Sequence, residues 1–464
     1  MDMFKKRRPL PRTSRQTKAQ GQRIARHLLG KRKGERLTER YEYGYSLGYI
    51  EGLQAGQEKY GEQFEGTSII IPTYNQVDVL EQCVDSIRAY TEVPYEIIVV
   101  DNASTDGTSA FLNKNAGQFR FYIHEKVRGF AGAVNTGLMM SKGTSICILN
   151  PDTFVTSNWL TNMLACLNSD LEIGMVGPVT YVLDEKQQLA DTDEQMENLH
   201  HYHSESTSPV LDPSKWNSAD HLESGCLLFR RSLFEETGYF DEGYGHVYYE
   251  VEDYNVRIRL SGRKLVVAQD TCIYQVVSKG TTASGDQSQS TNDNYASLFQ
   301  KKWRNPYNWM HRVRERYDKQ NGERCQTFYP THVAVAGLSE TVYWIEQGTK
   351  HPVEGNLTIP IVSVSQVDLR GWPTGSTVDA ESVTKKWKES HTEDGGIAEG
   401  SVFTTESGRY YQRQGDLYRE FMSEHALTRW ELTEKVVERT EIEKEALEEG
   451  LPIMAAPEIH LHLL

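Results

Sequence analysis

Four polar clusters interrupt apolar runs in this 464-residue chain, and their residue types could do chemistry. The apolar stretch Ile146–Leu149 runs into Asn150-Pro151-Asp152-Thr153. Pro151 cannot continue a strand ladder, so a buried strand stops there and leaves one carboxylate, Asp152, on a rigid element. A carboxylate so placed suits a hard divalent cation, which needs only one or two carboxylates beside phosphate oxygens. It equally suits an Asx-type turn capping a helix at Thr156–Leu160. Pro72-Thr73-Tyr74-Asn75 and Asp101-Asn102 end two further apolar runs. Glu252-Asp253 opens a helical pattern that Gly262 closes. Paired carboxylates there could take a proton from a hydroxyl in hydrogen-bond reach, or simply favour the helix dipole.

These clusters need elements to hold them. "TSIIIPTYN" and "YEIIVVDNASTDGT" each contain a continuous apolar strand. Between them Val79, Leu80, Cys83, Val84 and Ile87 share one helical face. A helix from about Thr108, a strand "FRFYIHE", a helix after Gly129 and the strand "TSICIL" follow. Strands alternating with helices predict a parallel sheet covered on both faces. Ligands of such sheets sit outside the carboxyl ends of the strands, where three of the polar clusters fall. The region Ser224–Gly262 reads as α+β, and the polar segment from about Tyr181 to Asp220 as an excursion over the site.

The flanks differ in texture. Residues 1–60 carry 15 Lys and Arg against 6 Asp and Glu in a chain of net charge −15, so a basic arm precedes an acidic body. Residues 1–40 read as a disordered arm, either solvated or docking on anionic lipid. The arm lacks interleaved aromatics and the body is acidic, which argues against nucleic acid. Gly44, Gly48, Gly52 and Gly56 share one face of a Gly/Tyr-rich helix over 41–65. That spacing permits close helix approach, for self-association or for packing on the chain's own body. No apolar run is long enough to span a bilayer, and "MDMFKKRRPL" has no apolar core of a secretory signal. Six scattered cysteines without a CxxC pair read as reduced, buried thiols of a cytoplasmic protein. Residues 306–464 form an extension of unassigned role, with a linker near 375–408 and a charged helix near 425–449. His460 and His462 at i, i+2 spacing are thin evidence for metal.

"IIIPTYN", "IIVVDNASTDGT", "RGFAGAVNTG", "ILNPDT", "GYFDEGY" and "EDYNVRIRLSG" occur in that order. Together they resemble the family 2 glycosyltransferases, and within them the rhamnosyltransferase-like branch with Asn-Pro-Asp in the metal motif. The resemblance covers residues 66–305. It implies an α/β GT-A nucleotide-sugar-binding fold with a mostly parallel central sheet, flanked by the N-terminal basic and helical arm and the C-terminal α+β extension. It implies Mg²⁺ or Mn²⁺ at Asp152, with Asn150 at the first position of the metal motif. Pro72, Thr73, Tyr74, Asn75, Asp101 and Asn102 would meet the nucleoside of a UDP- or dTDP-sugar. Arg128, Gly129 and Asn135 fall in the matching donor segment, where Arg128 could face phosphate, while Gly132 and Gly137 suit packing. Asp253 is expected as general base of an inverting transfer, with Glu252 as helper or runner-up.

Two departures stand out. Asn255 replaces the last acid of the Glu-Asp-x-Asp pattern, and Tyr274-Gln275 stand where relatives carry histidine. Gln275 could offer a carbonyl oxygen to Mg²⁺, and Ser278 and Lys279 could meet diphosphate. The expected function is transfer of a sugar to a surface-glycan, lipid-linked or protein acceptor. That reading places the protein in bacterial cell-wall or surface-polysaccharide synthesis, in the cytoplasm or peripherally at the inner membrane face. The alternative is a glycosyltransferase-like scaffold that binds without turnover.

Overall fold

The computed structural model describes residues 62–183, 211–245, 249–276, 296–316, 324–390 and 396–460. The basic arm, nearly all of the Gly/Tyr-rich segment, Ser278, Lys279 and His462 lie outside them. So does 184–210, the centre of the expected excursion.

The first half builds one nine-stranded sheet. Its strands are β1 (Phe64–Thr73), β2 (Tyr95–Asp101), β3 (Arg120–Ile123), β4 (Gly143–Leu149), β5 (Thr153–Val155), β6 (Ile173–Leu183), β7 (Trp216–Ala219), β8 (Cys226–Arg230) and β9 (Lys264–Val276). The order is β3-β2-β1-β4-β8-β6-β9-β5, with β7 also on β9. The β3-β2-β1-β4 half is parallel throughout, whereas β8 runs antiparallel to both β4 and β6. Helices α1 (Val77–Tyr90), α2 (Thr108–Lys114), α3 (Gly129–Met140) and α4 (Trp159–Ser169) connect and cover the strands. Ile69–Ile71 of β1, Ile97–Val100 of β2 and Ile146–Leu149 of β4 are fully or nearly fully buried on both faces, as expected of strands covered on two sides. On α1, Leu80, Cys83, Val84 and Ile87 are buried and Val79 half-buried. Gly137 brings α3 against β1: a Cβ there would lie 2.3 Å from Ile70 Cγ2. Gly132 likewise lies against Arg128, so both glycines are packing positions.

Helices α5 (Arg231–Thr237) and α6 (Tyr249–Leu260) flank the antiparallel side. A helical stretch at 296–303 and α7 (Pro306–Arg316) lead onward.

The extension corrects two expectations. It contains β10 (Val333–Ala336), β11 (Val342–Glu346), β12 (Thr349–Glu354), β13 (Ile361–Ser363), α8 (Gln366–Gly371), β14 (Val378–Asp379) and α9 (Ala380–Glu389). Then come β15 (Val402–Thr404), β16 (Tyr410–Gln414), β17 (Leu417–Glu420), α10 (Glu424–Arg429), β18 (Val436–Glu438), α11 (Glu441–Glu445) and β19 (Glu448–Glu449). The supposed linker holds two strands and a ten-residue helix, and the supposed charged helix is two short helices separated by a strand. The two five-stranded sheets, β13-β10-β11-β12-β14 and β18-β15-β16-β17-β19, have the same pairing scheme, parallel at both outer pairs and antiparallel at both inner ones. In each, a helix opened by a capping box follows the outer strand, at Ser365–Asp368 and Thr440–Glu443. The extension is an internal duplication.

Val256 and Leu260 of α6 and Trp303 share one core with Phe328, Val335, Trp430 and Met454 of the extension. Residues Phe64–Leu464 accordingly form one compact unit. No described helix is long and apolar enough to cross a membrane.

Candidate active site

The carboxyl ends of β1, β2 and β4 come level. Thr73 pairs with Asp101, and Ile70 with Ile148, so the turn at Pro151 lies beside Thr73. The loops beyond are knitted together. Asn75 N donates to Ser104 Oγ at 2.6 Å, and Thr105 N to Asn75 Oδ1 at 2.9 Å. Asn75, Gln76 and Ala103 all hold left-handed backbone, a local cost that the surrounding bonds must offset. Asn102 accepts from Arg128 N at 2.7 Å and donates to the Gly129 carbonyl at 3.2 Å, tying the start of α3 to the end of β2. Tyr74 is 50% exposed at the rim.

Several residues expected at the donor are tied into the fold by internal bonds. Pro72 and Thr73 are buried. Asp101 is fully buried, and its carboxylate accepts from Ser104 N, Ser104 Oγ and Ser109 Oγ. The reason is local: Ser104 and Ser109 follow closely in chain and supply three of the donors a carboxylate can accept. Asn135 exchanges two 2.9 Å bonds with the Phe240 backbone and donates to Glu242. The Arg128 guanidinium turns inward to Glu242 at 2.8 Å, with side-chain exposures of 4% and 0%. Its charge is neutralised there rather than turned to phosphate. Tyr74 and Asn75 remain accessible among the predicted nucleoside contacts. Glu242, the hub of this packing, was not singled out in the sequence, although its motif "GYFDEGY" was.

Asp152 does not cap a helix. The chain enters β5 directly after it, and β5 pairs antiparallel with β9, Thr153 opposite Gln275. Asp152 O accepts from Val276 N at 2.9 Å. The Gln275 amide reaches the Asp152 carboxylate at 3.2 and 3.3 Å, while Tyr274, pointing to the other face, is buried. Asn150 N donates to the Gly225 carbonyl at 3.0 Å. Burial pushes the Asp152 carboxyl above its ordinary range, with the Gln275 bond only partly opposing that. Beneath it lie Cys83, Cys147 and Cys226, three of six cysteines that are all buried and form no disulfide.

Helix α6 separates the expected acidic pair onto two faces. Asp253 is fully buried and takes bonds from Tyr244 Oη at 3.1 Å, Arg257 Nε at 2.9 Å, Trp303 Nε1 at 2.8 Å and Lys302 Nζ at 2.6 Å. Burial works against its charge, but Lys302 and Arg257 outweigh burial and hold the carboxyl below the usual range. So enclosed, the carboxylate expected as general base faces no cavity in this structure. Lys302 and Trp303 left no sequence signal beyond their type, because their partner lies fifty residues upstream. Glu252 is half-buried and lines a cavity of about 350 Å³ together with Tyr249, Arg259, Asp220, His221 and Tyr307. Burial raises its carboxyl, with His221 and Asn255 opposing. Asn255 donates to the Leu222 carbonyl at 3.0 Å.

One short segment joins the two centres. Gly225 touches the Asp152 strand end, His221 lines the Glu252 cavity, and four residues span at most about 14 Å.

Residues 68–238 match the model of the family "Glycosyl transferase family 2". Glycosyltransferase AglE of Haloferax volcanii is 29% identical over 115 residues, 24% of this chain and 38% of that protein. A PGL/p-HBAD biosynthesis glycosyltransferase of Mycobacterium tuberculosis is 39% identical over 89 residues, 18% of this chain and 34% of that protein. Protein CgeD of Bacillus subtilis is 24% identical over 196 residues, 39% and 43% of the two chains. The chain thus spans less than half the length of these curated relatives. Among solved structures, a mannosyltransferase of Pyrobaculum calidifontis in complex with GDP-Man and Mn²⁺ aligns over 47% of this chain and 58% of that chain, with TM-score 0.36 and 23% identity. Residues 68–238 thus match the Glycosyl transferase family 2 model, and they carry most of the nine-stranded α/β sheet described above.

Proposed function

We propose that the protein is an inverting glycosyltransferase that moves a sugar from a nucleotide-sugar donor to an acceptor hydroxyl. The observation that carries this reading is the junction of Asp152–Gln275 with the Glu252 cavity through residues 221–225. Tyr74 offers a ring face to the donor base, with Asn75 beside it. The acceptor oxygen attacks the anomeric carbon and passes its proton to Glu252. The bond to the diphosphate breaks, its electron pair leaves with the nucleoside diphosphate, and no covalent enzyme intermediate forms. A raised carboxyl brings Glu252 nearer the working pH of a base, so turnover should rise with pH through its titration.

A divalent cation fits Asp152. Its charge is penalised by burial, and its side-chain partner is a neutral amide. Among the described residues no group of three or more His, Cys, Asp or Glu gathers to cage a metal. A cation here would therefore be shared with donor phosphates, as Mg²⁺ commonly is. Mg²⁺ or Mn²⁺ would supply positive charge against the growing charge of the leaving group. Asp152 would hold it, with the Gln275 amide alongside.

Two of the relatives are named as glycosyltransferases, one of them of PGL/p-HBAD biosynthesis, and this reading keeps hexosyl or rhamnosyl transfer to a surface-glycan, lipid-linked or protein acceptor. A second reading, a scaffold that binds without turnover, draws on the enclosed Asp253. To decide, the full-length protein is titrated calorimetrically with UDP-, dTDP- and GDP-sugars, with and without Mg²⁺ or Mn²⁺. One donor should bind more tightly with metal, and Asp152→Asn should lose that gain at least tenfold. Binding that ignores both metal and Asp152 would overturn the metal assignment, and donor binding that never leads to hydrolysis or transfer would favour the scaffold.

A further inference from the structure

The Glu252 cavity is walled largely by residues that the family-matched stretch does not contain. Tyr249 and Arg259 come from α6, Tyr307 and Met310 from α7, and Phe299 from the helical stretch at 296–303. The Tyr249 and Phe299 rings lie 5.6 Å apart. The Arg259 guanidinium pairs with Asp220 at 2.9 Å, donates to the Asp220 carbonyl at 2.9 Å, and sits 5.6 Å from the Tyr307 ring centroid. Tyr307 nevertheless stays 55% exposed.

Resting on the transfer reading above, we propose that this cavity is an acceptor subsite for one neutral pyranose ring, with Tyr307 as its stacking platform. An aromatic face is partly negative and meets the partly positive C–H face of a sugar ring. The Asp220 carboxylate and the Arg259 guanidinium supply an acceptor and donors for ring hydroxyls. Glu252 lies in the same wall, where one hydroxyl can reach it. A volume of about 350 Å³ is near the lower bound for ligand pockets, which suits one ring better than an extended peptide. A lipid tail would need a continuous apolar lining, and Asp220, His221, Glu252 and Arg259 break it here. Asp220 and Glu252 against Arg259 leave the wall net negative, so uronic acids and phosphorylated sugars are disfavoured.

The test uses the full-length protein and methyl glycosides of glucose, galactose, N-acetylglucosamine, rhamnose and glucuronic acid, with a Ser/Thr peptide as comparison. Binding is followed by saturation-transfer NMR with and without UDP. At least one neutral glycoside should bind, glucuronide and peptide should bind at least tenfold more weakly, and Tyr307→Ala should weaken the neutral ligand about tenfold at unchanged melting temperature. Tyr307→Phe should keep wild-type binding. The proposal is overturned if no neutral glycoside binds, if the glucuronide or peptide binds better, or if Tyr307→Ala has no effect. Hydrolysis of a nucleotide sugar, measured in parallel samples, reports separately on whether the chain is a transferase.

Discussion

At the scale of single residues, neighbouring acids on α6 have opposite fates. Asp253 is enclosed by Lys302, Arg257, Trp303 and Tyr244, whereas Glu252 lines a cavity. Glu250 is a third case. It is 1% exposed, finds no side-chain partner among the described residues, and is pushed up to about 7 by burial, with Asp241 and Asp253 adding to the shift. The folded state therefore holds its proton where the unfolded chain has released it. Stability falls as pH rises from the unfolded carboxyl value toward 7, and the loss is complete above it. Glu250→Gln should remove this loss and raise stability at pH 8 by up to about 3 kcal/mol, with little effect at pH 4. Urea melts at both pH values check it. Equal effects at both would mean that ionisation of Glu250 is not the cause.

At the scale of elements, the site depends on strands ending level and on α3 lying close to β1. Gly137 makes that approach, with a Cβ position 2.3 Å from Ile70. Gly137→Ala should cost about 1–3 kcal/mol by overpacking and loosen Arg128 and Asn102, weakening donor binding as well as lowering the melting temperature. This half of the fold was legible because continuous apolar runs ending in Pro-Thr-Tyr-Asn, Asp-Asn and Asn-Pro-Asp mark parallel strands and their ends. Which carboxylate faces the cavity was not legible. The sequence places Glu252 and Asp253 side by side, and only the packing of residue 302–303 against one helix face tells them apart. The bracing bonds of Asp101 and Asn135 were not legible for a related reason: polar residues at a ligand edge can as readily brace the loops as meet the ligand.

At the scale of the whole molecule, the extension and the first half form one body. Its core takes in Val256, Leu260 and Trp303, and residues near 458–460 return to Glu242 beside α3, where Glu242 N donates to the Glu458 carbonyl at 2.8 Å and His460 meets the Glu242 carboxylate at 3.1 Å. A chain ending at residue 323 should lose cooperative unfolding, whereas the full chain should melt in one transition. Circular dichroism in urea distinguishes them, and a truncated chain that melts sharply would show an independent catalytic domain. The duplication escaped sequence reading because its strands hold only two to six residues and alternate poorly. Its trace was there in "YWIEQG" at 343–348 and "YYQRQG" at 410–415, each ending at a two-residue hairpin turn whose glycine, Gly348 or Gly415, has positive φ.

The most direct test of the transfer site compares Glu252→Gln with Asp253→Asn in the full-length protein, using the best-bound nucleotide sugar and following donor binding, turnover and melting. The account predicts that Glu252→Gln stays folded and binds donor normally but loses at least a hundredfold in turnover, consistent with a missing general base. Asp253→Asn should instead lower stability by about 3–5 kcal/mol, as a broken buried pair does, with activity falling only as folded protein is lost. A stable, donor-binding Asp253→Asn without turnover, beside an active Glu252→Gln, would contradict the assignment.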